Sequence, residues 1–244
     1  MQYTYIMSDI HGHYTIFEKM LEKIEFDETD TLYILGDIMD RGKENIKMLE
    51  YVMNTPNIHL LMGNHEDLLL TSHEESVLDR KYEEAIWFYN GGDITAEELK
   101  NVSKEKMKEY LNFLKSLDTY KFITINEKEY LLVHAGILYT GEFIDKETLM
   151  KKQKDNLLWI REEFIANKYT TELPFTIIFG HTPIECLSQF INISSIKERN
   201  KLINDEIVHF DNKIAIDCGC AYDKKLGCLR LEDGEEFYIN CEVK

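Results

Sequence analysis

Six short apolar runs punctuate the chain, and each stops at glycine or a polar residue followed by side chains capable of chemistry. Tyr3 to Met7 leads into Ser8-Asp9-Ile10-His11-Gly12, Thr31 to Leu35 into Gly36-Asp37, and Ile58 to Met62 into Gly63-Asn64-His65-Glu66. Later, Tyr130 to Val133 leads into His134-Ala135-Gly136, Phe175 to Phe179 into Gly180-His181-Thr182, and Lys213 to Ile216 into Asp217-Cys218-Gly219. Runs this short, rich in Ile, Leu, Val, Tyr and Phe, predict buried strands. Between the first three the period changes. Ile16, Phe17, Met20, Leu21 and Ile24, and then Ile46, Leu49, Val52 and Met53, recur at helical spacing. Strands alternating with helices predict an α/β fold with an at least partly parallel sheet, whose ligands gather outside the carboxyl ends of the strands. The polar motifs sit at those ends.

Elsewhere the pattern is helical. Residues 73–117 carry acidic and amphipathic segments around Trp87-Phe88-Tyr89-Asn90-Gly91-Gly92 and predict a helical insertion over one face. Lys146 to Asn167, with Trp159 and Arg161, predicts a further helical segment. Leu226 to Glu232 and Glu235 to Cys241 straddle Asp233-Gly234, a hairpin signal. Without repeats or Gly/Ser linkers, the 244 residues predict one domain over 1–244 that includes the insertion.

Composition narrows the class. With 44% hydrophobic and 30% charged residues the chain reads as an ordinary soluble protein, and no apolar run approaches the ~18 residues of a membrane span. Met1 to Met7 lacks the basic start of a signal peptide, and the five cysteines are odd in number with no C-x-x-C pair. Both features predict a cytoplasmic protein with free thiols. A net charge of −17 argues against nucleic-acid partners. It would also repel an anionic substrate, unless cations in the site reverse the local sign.

Collected from the strand ends, Asp9, His11, Asp37, Asn64, His134 and His181 are the carboxylate, imidazole and amide donors expected of Mn²⁺, Fe²⁺ or Zn²⁺. Ca²⁺ suits them less, since it prefers oxygen alone. Six donors are too many for one catalytic ion that keeps an open position, and about right for two sharing a carboxylate. Two ions ~3.5–4 Å apart can clamp both sides of a displacement at phosphorus.

The D-x-H-G, G-D-x-x-D-R-G and G-N-H-E motifs at Asp9, Gly36 to Gly42 and Gly63 to Glu66, with the later H-A-G and G-H-T, resemble those of one phosphatase family. It is the PPP serine/threonine phosphatase family of calcineurin-like metallophosphoesterases, in its compact bacterial and bacteriophage form. The resemblance spans roughly residues 3–231 and implies a central β-sandwich of mixed sheets flanked by helices. It implies a first metal on Asp9, His11 and Asp37, and a second on Asp37, Asn64, His134 and His181, with Mn²⁺ expected first and Fe or Zn as alternatives. His65 would protonate the leaving oxygen, Asp40 would orient His65, and Arg41 and Arg161 would bind the phosphoryl oxygens. Arg161 rests on Leu158-Trp159-Ile160-Arg161. Asn90, expected to bind substrate, rests on the W-x-x-N-G-G stretch, which borders the cleft in bacteriophage-type members.

The implied reaction is hydrolysis of a phosphate monoester by a hydroxide bridging two metals, with phosphoserine or phosphothreonine in proteins as the first substrate class. A symmetric diadenosine tetraphosphate hydrolase is the alternative. Ile216 to Cys220 and Leu226 to Leu231 resemble a D-x-G-C…L…L segment of those hydrolases that several bacterial protein phosphatases share. A third reading is a non-catalytic metal-binding module, which would ordinarily have lost a ligand or the acid; none is missing here. No membrane partner is expected, and no pattern in the sequence speaks to oligomeric state.

Overall fold

In the computed structural model, the first strand, β1 (Thr4–Met7), is buried on both faces: Ile6 enters one apolar core, Tyr5 and Met7 another. Its unbroken apolar run is what such double burial requires. The structure describes residues 2–73, 80–142, 145–153 and 155–241. After β1 come α1 (Tyr14–Lys23), β2 (Thr31–Ile34), α2 (Asn45–Asn54), β3 (Ile58–Leu60) and α3 (Asn64–His73). Then follow α4 (Arg80–Trp87), a π-helical turn at Phe88–Gly92, α5 (Asp93–Leu99) and α6 (Lys104–Lys115). The second half holds β4 (Tyr120–Ile125), β5 (Lys128–Val133), α7 (Lys146–Lys151), α8 (Asn156–Trp159), α9 (Glu162–Ile165) and β6 (Thr176–Phe179). It ends with α10 (Ile196–Ile203), β7 (Val208–Phe210), β8 (Lys213–Ala215), β9 (Lys225–Arg230) and β10 (Glu236–Asn240).

Two mixed sheets result, ordered β10-β9-β1-β2-β3 and β4-β5-β6-β8-β7. In the first, β1, β2 and β3 are parallel; in the second, β5, β6 and β8 are. Antiparallel strands occupy the remaining places. Ile6, Leu229 and Leu231 share one core with Leu131, Ile177 and Ile178 of the second sheet. On the other face of the first sheet, Tyr5, Met7, Leu32 and Ile34 pack with Phe17 and Met20 of α1 and Leu49 of α2. Burial of each such side chain contributes roughly 1.5–3 kcal/mol. The expected α/β sandwich flanked by helices is the observed fold.

Several local expectations changed. The buried face of α2 is Asn45, Met48, Leu49 and Val52, while Ile46 and Met53 are only half-buried. Strands β4 and β7 escape sequence reading because one lies half-exposed at a sheet edge and the other has three residues. The expected helical segment from Lys146 to Asn167 holds, among the described residues, three short helices. Between β3 and β4 the expected helical stretch is present, although residues 74–79 of the predicted 73–117 insertion lie outside the described residues. Among the described residues no helix is long and apolar enough to cross a membrane.

Candidate metal centre

The loops leaving the parallel strands of both sheets meet at one end of the sandwich and are laced together. His11 N–H donates to the Asp37 carbonyl at 3.0 Å, Gly12 N–H to that of Ile38 at 2.8 Å, and Gly180 N–H to that of His134 at 2.8 Å. The carboxylates join in: Asp37 Oδ1 accepts His65 N–H at 3.0 Å and Asp9 Oδ2 accepts His181 N–H at 2.9 Å. Two glycines permit this approach. A Cβ on Gly63 would stand 2.3 Å from Asp37 Oδ1, and one on Gly180 1.9 Å from Ser8 Oγ. Asp9, His11, Asp37, Asp40, Arg41 and His181 all adopt positive φ, between 48° and 69°. For non-glycine residues this conformation costs roughly 1–2 kcal/mol each and persists where the surroundings impose it.

Among the described residues, two groups of buried side chains could hold a metal ion: His11, Asp37 and His65, and Asp37, His134 and His181. The hydrogen-bond roles identify the free lone pairs. His134 Nδ1 stands 2.7 Å from the Leu35 carbonyl, and His11 Nδ1 2.9 Å from that of Met39. A carbonyl only accepts, so both rings carry their proton on Nδ1 and present an unprotonated Nε2. His134 Nε2 then faces Asn64 Oδ1 at 2.8 Å, Asp37 Oδ2 at 3.4 Å and His181 Nδ1 at 3.2 Å. His11 Nε2 faces Asp37 Oδ2 at 3.6 Å. Acceptors converging on acceptors suit a cation, and the N/O set fits Mn²⁺, Fe²⁺ or Zn²⁺.

Titration points the same way. Burial, then the charges of His65 and Arg41, push the His11 imidazole well below its usual range. Burial lowers His134, and burial with His134 and Arg161 lowers His181. Burial pushes the Asp37 carboxyl well up, and Asp9 and Glu66 add to it against the opposing effect of His65. Neutral imidazoles are the ligand form, and crowded carboxylates are relieved by positive charge.

Asp9, His11, Asp37, Asn64, His65 and His181 line one cleft together with Arg41, Asn90 and Arg161. Asp40 and His134 stand behind it, both fully buried. His65 Nδ1 meets Asp40 Oδ2 at 2.8 Å, and Arg41 Nη2 lies 3.1 Å from His65 Nε2. Arg161 sits in the break between α8 and α9, where its Nη1 donates to Thr182 Oγ1 at 3.1 Å. The Asn90 side-chain amide donates to the Ile86 carbonyl at 2.8 Å, and the Asn90 backbone carbonyl accepts from Arg41 Nε at 3.4 Å. Sequence reading missed Tyr222, whose hydroxyl accepts from Arg41 Nη1 at 3.2 Å, and buried Asp217 on the cleft wall. Asp217 stood at a strand end in the Asp217-Cys218-Gly219 run without being assigned a role, and no motif marked Tyr222.

A sequence profile described as calcineurin-like phosphoesterase matches residues 4–216. The chain belongs to that family. Among the relatives of this phosphoesterase, a serine/threonine-protein phosphatase 2 of Salmonella typhimurium (strain LT2) is 28% identical over 198 residues, covering 78% of this chain and 84% of its own. A symmetrical bis(5'-nucleosyl)-tetraphosphatase of Buchnera aphidicola subsp. Baizongia pistaciae is 23% identical over 99% of both chains. A protein serine/threonine phosphatase from Saccharomyces cerevisiae superposes with a TM-score of 0.60 at 14% identity, over 99% of this chain and 80% of its own. That last likeness is one of fold.

Proposed function

We propose that this metallophosphoesterase is a two-metal phosphomonoesterase acting on phosphoserine and phosphothreonine in proteins. The observation that carries the reading is His65: its Nδ1 is held by buried Asp40, and its Nε2 faces the same cleft as the ligand cluster and Arg41. Asp9, His11 and Asp37 would hold one divalent ion, and Asp37, Asn64, His134 and His181 the other, with Mn²⁺ the first expectation. When bound, such ions supply Lewis acidity and lower the pKa of a water to the neutral range. The chain's own groups do the rest. Arg41 and Arg161 grip the phosphoryl oxygens, where a planar guanidinium offers several donors at once. As Arg41 turns to the phosphate it leaves His65 Nε2, which can then carry the proton needed by the departing alkoxide. Asn90 supports Arg41 from the helical side. The 28% identity to the Salmonella phosphatase favours protein substrates. The free cysteines fit a reducing, cytoplasmic setting.

A second reading, symmetrical hydrolysis of a dinucleotide tetraphosphate, is favoured by the end-to-end alignment with the Buchnera enzyme. Mn²⁺-loaded protein assayed side by side on a phosphoserine peptide and diadenosine tetraphosphate separates the two. Turnover of the peptide upholds the first reading, and turnover of the dinucleotide alone replaces it. Asp37→Ala is expected to lose bound metal and more than about 100-fold in turnover, since the carboxylate serves both ions. Ordinary metal content with near-normal turnover in that variant would sink the two-metal assignment.

A further inference from the structure

The Asp40 carboxylate has more partners than holding His65 requires. Its Oδ2 accepts from His65 Nδ1 at 2.8 Å and also from Trp87 Nε1 at 2.9 Å. Its Oδ1 accepts from Thr95 Oγ1 at 2.5 Å, and that hydroxyl oxygen accepts the Asp40 backbone N–H at 3.2 Å. One threonine therefore grips both the carboxylate and the main chain of a residue held at φ 69°. Asp40 and Thr95 are 0% exposed and Trp87 1%, so each bond lies away from water, where it is strong and costly to lose. Trp87 ends α4 and Thr95 lies in the first turn of α5, away from the strand-end loops that carry the candidate ligands. The turn between them returns the Gly91 carbonyl to Arg41 N–H at 3.1 Å.

We infer that Trp87 and Thr95 are positioning residues for proton transfer, fixing the plane of Asp40 and thereby the direction of His65 Nε2. The inference rests on the reading of His65 as the acid. In the step they serve, a water-derived oxygen bonds to phosphorus as the bond from phosphorus to the leaving oxygen breaks. The leaving oxygen keeps the P–O pair and takes the proton, while Nε2 keeps the pair of its broken N–H bond. Asp40 holds the Nδ1–H throughout. A ring turned away from the leaving oxygen slows that step without altering binding.

Leaving groups provide the readout. A nitrophenolate departs with little help, whereas an unsubstituted phenolate needs a proton. Full-length, Mn²⁺-loaded Thr95→Val and Trp87→Phe should each lose on the order of ten-fold in kcat on phenyl phosphate but less than about three-fold on 4-nitrophenyl phosphate, with KM little changed. Thr95→Ser, which restores the hydroxyl, should return kcat to within about two-fold of the parent. Metal content and melting temperature, measured on the same samples, identify any variant that fails to fold, and the other then carries the test. Equal losses on the two esters, or a serine variant as slow as the valine one, overturn the inference. His65→Asn run in parallel separates the layers. If it loses more on phenyl phosphate while the Thr95 and Trp87 variants do not, the positioning role alone fails. If it loses equally on both, the acid reading fails and takes the inference with it.

Discussion

Glu66 accepts the backbone N–H groups of Gly63, Asp37 and Ile38 at 3.0, 2.8 and 3.0 Å. It thereby ties the loop carrying the central carboxylate to the first turn of α3, where the helix dipole also favours a negative charge. The side chain is fully buried, and burial raises its carboxyl pKa against those donors. Glu66→Gln would turn an amide NH₂ toward backbone N–H groups, leaving donor facing donor. We expect this to weaken Mn²⁺ binding by about 10–100-fold, as loss of an outer partner of metal ligands does. Titration calorimetry reads it, and unchanged affinity would show that the loop holds without Glu66. At this scale the residue types in the motifs were legible, because carboxylates and imidazoles stranded beside buried strands announce chemistry. The pairing of Trp87 and Thr95 with Asp40 was not: they lie 47 and 55 residues away in the chain.

Helix α2 begins without a side-chain cap of its own. Glu98 of α5 supplies one from outside, with Oε1 accepting Asn45 N–H at 3.1 Å and Asn45 Nδ2 at 2.7 Å, and Oε2 accepting Ile46 N–H at 2.9 Å. The helical stretch before β4 therefore braces the Gly36 to Gly42 loop at Asp40, through Thr95, and the start of α2 just beyond it, through Glu98. Glu98→Ala should cost about 1–2 kcal/mol, the worth of a lost cap, and lower the melting temperature by roughly 2–8 °C. A calorimetric melt unmoved by the substitution would remove Glu98 from this role. Amphipathic spacing revealed that these residues are helical. Which loop they brace was decided by contacts that no local pattern encodes.

The two sheets are clasped together at one edge. Glu236 of β10, in the first sheet, accepts from Lys201 of α10 at 2.5 Å, from His209 of β7, in the second sheet, at 3.1 Å, and from Tyr238 at 2.6 Å. Tyr238 Oη in turn accepts the Ile207 N–H at 3.1 Å. Burial pushes the Glu236 carboxyl up, but the bonds from His209, Lys201 and Tyr238 outweigh it and hold the pKa at about 2. A folded-state pKa below the unfolded value of 4.5 means the clasp stabilises fully above pH 4.5 and is lost as pH falls toward 2. The ceiling is about 3 kcal/mol by linkage. Glu236→Gln should thus be less stable than the parent at pH 6, with the gap closing between pH 4.5 and 2 in urea melts. Parallel curves across that range would falsify the clasp.

By itself, the sequence determined the alternation of strands and helices and the family to which the chain belongs, and it marked the carboxylates, imidazoles and amide at the strand ends as candidates for metal. These are readable because burial periodicity, glycine stops and donor chemistry are properties of a few consecutive residues. Only the tertiary structure decided which lone pairs face one another, as when His134 donates through Nδ1 to Leu35 and frees Nε2 toward Asp37. It also decided that Arg161 falls in a break between short helices and reaches Thr182, and that two residues of a distant helical segment lock Asp40. The physical reason is the same in each case. A hydrogen bond is set by distance and direction, and both depend on how elements far apart in the chain pack.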